Sequence, residues 1–232
     1  MSHLKSAAAF FDLDGTLLPD TSCDRELVSA LRRSGRLPTR AIVRGVSYSL
    51  RAARRGAAAM WGVRGYLQGW PDDEFARFCR TVAHDCILPR STPEGLRRLQ
   101  WHRESGHVIV LMTGAPRQVA EPLGDVLGAD VVIAGSLAAD ANGLTGWLLT
   151  PTPRGHEKAR LIQQLAADDH LSLEQSWAYA NSANDIPHMA LTGHPVAVNP
   201  GPLLARLAPR QGWPVLWWLP PPRSSRSRTT FM

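Results

Sequence analysis

The run Ala7-Ala8-Ala9-Phe10-Phe11-Asp12-Leu13-Asp14-Gly15-Thr16-Leu17 takes a short apolar segment straight into two carboxylates separated by one residue. In an extended chain residues i and i+2 point the same way, so a strand ending here turns Asp12 and Asp14 toward one reaction centre. The carboxyl edge of a buried parallel sheet is where open α/β proteins bind their ligands. Gly15 lets the chain turn sharply away, and Thr16 can fix that turn with a local hydrogen bond. Paired carboxylates in this setting suit phosphoryl transfer. Asp and Gly are also ordinary turn residues, so the reading depends on what the rest of the chain supplies.

Three further segments supply it, in order. His107-Val108-Ile109-Val110-Leu111-Met112 reads as a second strand and ends in Thr113-Gly114, a hydroxyl and a backbone N–H that could hold phosphoryl oxygens. Lys158 opens a helix after Arg154-Gly155-His156-Glu157. Lys5 and Lys158 are the only lysines among 26 basic residues, so a lysine here does something that arginine elsewhere does not. Trp177-Ala178-Tyr179-Ala180 reads as a third strand, running into Asn181-Ser182-Ala183-Asn184-Asp185.

Between the first two strands, Cys23 to Leu88 shows helical periodicity only: Asp24 to Arg33, Thr39 to Met60 and Asp72 to Cys86, the last with three acids in its first turn. After Pro89, helix and strand alternate, as in a parallel sheet covered on both faces. Helices are expected at Thr92–Ser105, Arg117–Leu127, Glu157–Ala167 and Ile186–Leu191. Strands are expected at Val131–Ala134, Val196–Val198 and Val215–Trp218, with a hairpin at Asn142-Gly143. The expected fold is therefore α/β, a Rossmann-like parallel sheet core of residues 1–22 and 89–219. An all-helical insert of residues 23–88 follows the first strand. The Pro-, Ser- and Arg-rich tail, residues 220–232, reads as disordered.

With 232 residues and 44% hydrophobic content the chain can build one such core plus an insert. No apolar run is long enough to span a bilayer, since Asp12 and Asp14 interrupt the first one, and a cytoplasmic protein is expected. Cys23, Cys79 and Cys86 form no even framework and read as buried or incidental thiols. His84, His102 and His107 lack a zinc-like spacing, and Trp213, Trp217 and Trp218 read as packing residues. The net charge is +6, and between Leu27 and Pro71 there are nine arginines and no acid. Arg40, Arg44, Arg51, Arg54 and Arg55 share a narrow helical arc, with Ile42, Val43, Val46, Leu50 and Ala53 to one side. A solvated face is favoured for this stripe over a membrane surface. Nucleic acid is not expected, since aromatic residues are scarce among the arginines.

Taken in order, Asp12-Leu13-Asp14-Gly15-Thr16, Thr113-Gly114, Lys158 and the 177–185 segment resemble the four motifs of the haloacid dehalogenase superfamily of phosphohydrolases. His194-Pro195-Val196-Ala197-Val198-Asn199-Pro200 and Gly212-Trp213-Pro214-Val215-Leu216 extend the similarity to its phosphoserine-phosphatase-like subfamily, IB. The resemblance implies a phosphatase with the insert as a substrate-selecting cap. It makes Asp12 the nucleophile and Asp14 the general acid and base. Thr113, Gly114 and Lys158 would be phosphate ligands, and a small phosphorylated metabolite the substrate. It also implies Mg²⁺ held by Asp12, Asp14 through its backbone carbonyl, Asn181 and Asp185. The chain departs from the pattern at Ala180, where the family has glycine, and at Asn181, where it has the metal-binding aspartate. An amide keeps a hard oxygen but not its negative charge. The alternative expectation is thus a catalytically weakened module that binds an anionic ligand or membrane surface.

Overall fold

The computed structural model describes residues 6–54, 63–150 and 152–218; the 220–232 tail, Lys5, and the Arg55 to Met60 end of the expected second helix lie outside these residues. Strand β1 (Ala8–Asp12) is buried along its whole length and forms the middle of a six-stranded sheet. The other strands are β2 (Val108–Pro116), β3 (Val131–Gly135), β6 (Trp177–Ala180), β7 (His194–Val198) and β8 (Val215–Leu216), in the order β3-β2-β1-β6-β7-β8 and all parallel. Because β1 is flanked by β2 on one side and β6 on the other, the strand order reverses at β1. That reversal opens a crevice at the carboxyl edge, where Asp12 ends the strand.

Alternate residues of β1 feed two hydrophobic clusters, one on each face. Ala9 and Phe11 join Ile109, Leu111 and Tyr179, covered by helices α1 (Cys23–Arg33), α3 (Asp72–Val82), α4 (Pro93–Glu104) and α5 (Arg117–Leu127). Ala8 and Phe10 join Val110, Met112 and Ala178, covered by α6 (His156–Asp168), α7 (Ile186–Met189) and α8 (Pro202–Leu207). A strand buried on both faces explains why the sequence shows a continuous apolar run and not an alternating one.

Most elements fall where the periodicity places them. Pro122 lies inside α5 without ending it, and Gly128, at φ +66°, closes that helix in the left-handed conformation. The last strand is shorter than expected, and Trp217 is largely exposed while Trp218 is buried. The helix after Pro71 ends at Val82 and continues as a π turn through Ile87.

Two features add to what the sequence places. The hairpin of β4 (Leu137–Asp140) and β5 (Gly143–Leu148) docks on the insert, not the sheet. Its backbone exchanges hydrogen bonds with residues 63–70, from Arg64 N to Gly146 O, Gly69 N to Leu144 O and Leu144 N to Trp70 O, each 2.8 Å. In helix α2 (Thr39–Ala53), Ala41, Tyr48 and Ala52 face inward, and Ile42, Val43, Val46 and Leu50 face solvent. His102 and His107 also come together, Nδ1 to Nδ1 at 2.8 Å, with His102 Nε2 2.9 Å from the Tyr179 hydroxyl. They form a hydrogen-bonded chain within the core. All three cysteines are free and buried.

Candidate active site

At the carboxyl end of β1 the chain folds back on itself, with Thr16 N and Leu18 N both donating to Leu13 O. The turn needs Gly15 at φ +85°, where a side chain would also overlap the Asn181 amide. Thr16 Oγ1 donates to Asp12 Oδ2 at 3.1 Å and so orients the carboxylate. Lys158, in the first turn of α6, reaches across and donates to Asp12 Oδ1 at 2.7 Å and to Asp185 Oδ1 at 2.8 Å. All three side chains are buried. Asp14 Oδ1 accepts from Cys23 N at 2.9 Å, so the second carboxylate of the pair is tied to the first residue of α1.

Thr113 is buried in β2 just past Met112, where the pairing with β3 shifts register, and its Oγ1 accepts from Ala115 N at 3.0 Å, which leaves the hydroxyl proton available to an incoming oxygen. Beside it, the Arg154 guanidinium lies against Gly114, close enough that a Cβ there would sit 3.3 Å from Nη2. Motif reading passed over Arg154, as it passed over His188, which is buried with Nδ1 3.7 Å from Asp185 Oδ1. The only sequence signal for Arg154 was its place four residues before Lys158.

Burial is the first cause shifting these groups. It pushes the Asp12 carboxyl up, to about 7, against the pull of Lys158 and with help from Asp185. It also raises Asp14, opposed by the Cys23 N–H. Burial works against the charge on Lys158 too, but Asp12 and then Asp185 outweigh it, and its pKa rises. The ammonium donates to both carboxylates and stays charged between them. Burial, then Lys158, drive the His188 pKa down to about 3, so this imidazole is neutral.

Two carboxylates around one ammonium leave surplus negative charge, which suits a hard cation. The available donors, Asp12, Asp185, the Asn181 amide and nearby backbone carbonyls, are oxygens, as Mg²⁺ requires. They fit that ion by type, with one charge fewer than a third carboxylate would give. Among the described residues no three His, Cys, Asp or Glu side chains gather as a metal cluster.

Residues 9–190 match the family model for haloacid dehalogenase-like hydrolases. The chain belongs to this family. Among its relatives is an "inhibition of morphological differentiation protein" of Streptomyces azureus, 31% identical over 92% of this chain and 79% of the relative. A phosphoserine phosphatase of Mycobacterium tuberculosis is 28% identical, over 90% of this chain and 70% of that one. In structure, a protein of unknown function from Bordetella pertussis aligns with a TM-score of 0.76 at 28% identity, covering 92% of this chain and 99% of the other. An apo phosphoserine phosphatase aligns at 0.62 and 16% identity over 92% and 94%, a likeness of fold. The haloacid dehalogenase-type topology explains why β1, β2 and β6 bring their ends together here. The first three motifs and the fourth sit at those ends and at the start of α6.

Proposed function

We propose that this chain is a Mg²⁺-dependent phosphomonoesterase acting on a small phosphorylated metabolite. The observation that carries it is the Lys158 ammonium bridging Asp12 and Asp185 at the crevice edge. Asp12 attacks phosphorus and the ester oxygen leaves, giving an aspartyl-phosphate and splitting one difficult displacement into two. Lys158, the Thr113 hydroxyl and the Gly114 N–H hold the phosphoryl oxygens where negative charge spreads. Asp14, with its raised pKa, carries a proton for the leaving alkoxide. It then takes a proton from the water that attacks the phosphoaspartate, releasing inorganic phosphate and restoring Asp12. Bound Mg²⁺ would neutralise charge on the transferring group, held by Asp12, the Asp14 carbonyl, Asn181 and Asp185. Residues 23–88 serve as the cap, joined to the site through Cys23 N and Asp14. Relatives named phosphoserine phosphatase and histidinol-phosphatase support a small phosphorylated substrate.

The test is hydrolysis of a generic aryl phosphate with Mg²⁺ and with chelator. Wild type should turn over with Mg²⁺ only, and Asp12→Asn should lose about 10³-fold or more in kcat. Asn181→Asp should lower the Mg²⁺ concentration needed for half-maximal rate. A silent wild type beside an active Asn181→Asp variant would instead establish the weakened binding module, a reading that the neutral amide at position 181 keeps in play.

A further inference from the structure

Helix α2 has three faces where a surface helix ordinarily has two. Its inward face is small or aromatic: Ala41, Tyr48 and Ala52 are buried, and Tyr48 and Ala52 pack with Val63 and Trp147. A second arc, Ile42, Val43, Val46 and Leu50, is turned to water with exposures of 45, 62, 56 and 62%. A third carries Arg40, Arg44 and Arg51, with Arg54 as the C-cap. An amphipathic helix that buries its apolar stripe would show the reverse. Beneath the exposed stripe runs an apolar groove of about 460 Å³, walled by Val28, Leu37, Val46, Leu50 and Tyr66.

Charge decides what covers this face. No acid occurs between Leu27 and Pro71, and among the described residues none of the four α2 arginines makes an ion pair. Arg51 rests over the Tyr48 ring at 5.8 Å. A second copy placed by two-fold symmetry would bring the same arginines against themselves. The 220–232 segment adds Arg223, Arg226 and Arg228 and no acid, so its sign is wrong as well. Nucleic acid matches the arginines but offers nothing to the apolar arc. A surface that is anionic in one layer and apolar in the next satisfies both arcs at once.

We infer that α2 is a docking helix for an anionic lipid bilayer. Ile42, Val43, Val46 and Leu50 enter the boundary between headgroups and acyl chains, and the arginines lie at the level of the lipid phosphates. The site chemistry is not involved, so docking is independent of turnover.

The experiment is co-sedimentation of the full chain with phosphatidylglycerol/phosphatidylcholine vesicles and with phosphatidylcholine alone, at low and raised salt. Wild type should bind the anionic vesicles at least 10-fold better, lose that preference as salt rises, and bind equally as Asp12→Asn. Val46→Glu/Leu50→Glu, at exposed positions, should lower binding at least 10-fold with unchanged melting and aryl-phosphate hydrolysis. Arg40→Ala/Arg51→Ala/Arg54→Ala should abolish the salt dependence. Failure of wild type to bind anionic vesicles would overturn the inference, as would equal binding by the glutamate variant. So would a solution dimer that the glutamate variant dissociates while wild type ignores lipid.

Discussion

Lys158 balances two buried acids, and the cost of removing it follows from that position. Methionine fills much the same volume but leaves Asp12 and Asp185 facing each other without a cation, the situation in which breaking a buried pair costs about 3–5 kcal/mol. Lys158→Met should therefore lower stability in urea by that order as well as remove turnover, and added Mg²⁺ should restore part of the stability by taking the cation's place. Arg154 is different, since it is exposed and lies over Gly114 at the rim. An exposed guanidinium contributes to holding a phosphate dianion more than to the fold. Arg154→Ala should weaken competitive inhibition by inorganic phosphate, and raise KM, by about 10-fold, with kcat and urea midpoint little changed.

At the scale of elements, the hairpin of β4 and β5 shows where a sequence stops being informative. Its turn was legible, because Asn142-Gly143 suits a tight reversal and Gly143 indeed sits at φ +98°. Its partner was not, since backbone hydrogen bonds to residues 63–70 leave no mark in side-chain pattern. Gly146 is the exception that can be probed: at φ +80°, its Cβ site lies 2.9 Å from Gly65 Cα. Gly146→Val should push the hairpin off this segment, cost about 2–3 kcal/mol by left-handed strain and overlap, and speed hydrogen exchange at Arg64 and Leu144. Amides of β1 and β2 should keep their protection. The central strands were legible for the opposite reason. Double-sided burial demands continuous apolar runs, and the polar residues that end them, Asp12, Thr113 and Asn181, mark the edge where the site lies. The inward face of helix α2 was not legible, because it is set by Tyr48 and Ala52 packing with Val63 and Trp147, which hydrophobic periodicity alone cannot anticipate.

For the whole molecule, acid should act on the two ends of the sheet with opposite signs. At the amino-terminal edge His102 and His107 share one hydrogen between their Nδ1 atoms, so at least one ring is neutral. Burial, then His107 and Arg98, pull the His102 pKa down to about 3, and burial lowers His107 as well. In the unfolded chain these rings take a proton near 6.5. The folded state therefore binds fewer protons below that value, and stability, complete above about pH 6.5, falls as pH drops toward 3, by at most about 1.4 kcal/mol per pH unit for each such group. His188 adds to the same slope. At the carboxyl-terminal edge Asp12 has a raised pKa, so acidification protonates it first in the folded state and offsets part of that loss. Thermal melting of the metal-free chain between pH 7 and 5 should show a net fall in Tm. His102→Gln, which cannot be protonated, should flatten it. Asp12→Asn removes the opposing contribution and should make it steeper than wild type. A wild-type Tm that rose on acidification would mean that the carboxylates, not the histidines, govern the acid response of this fold.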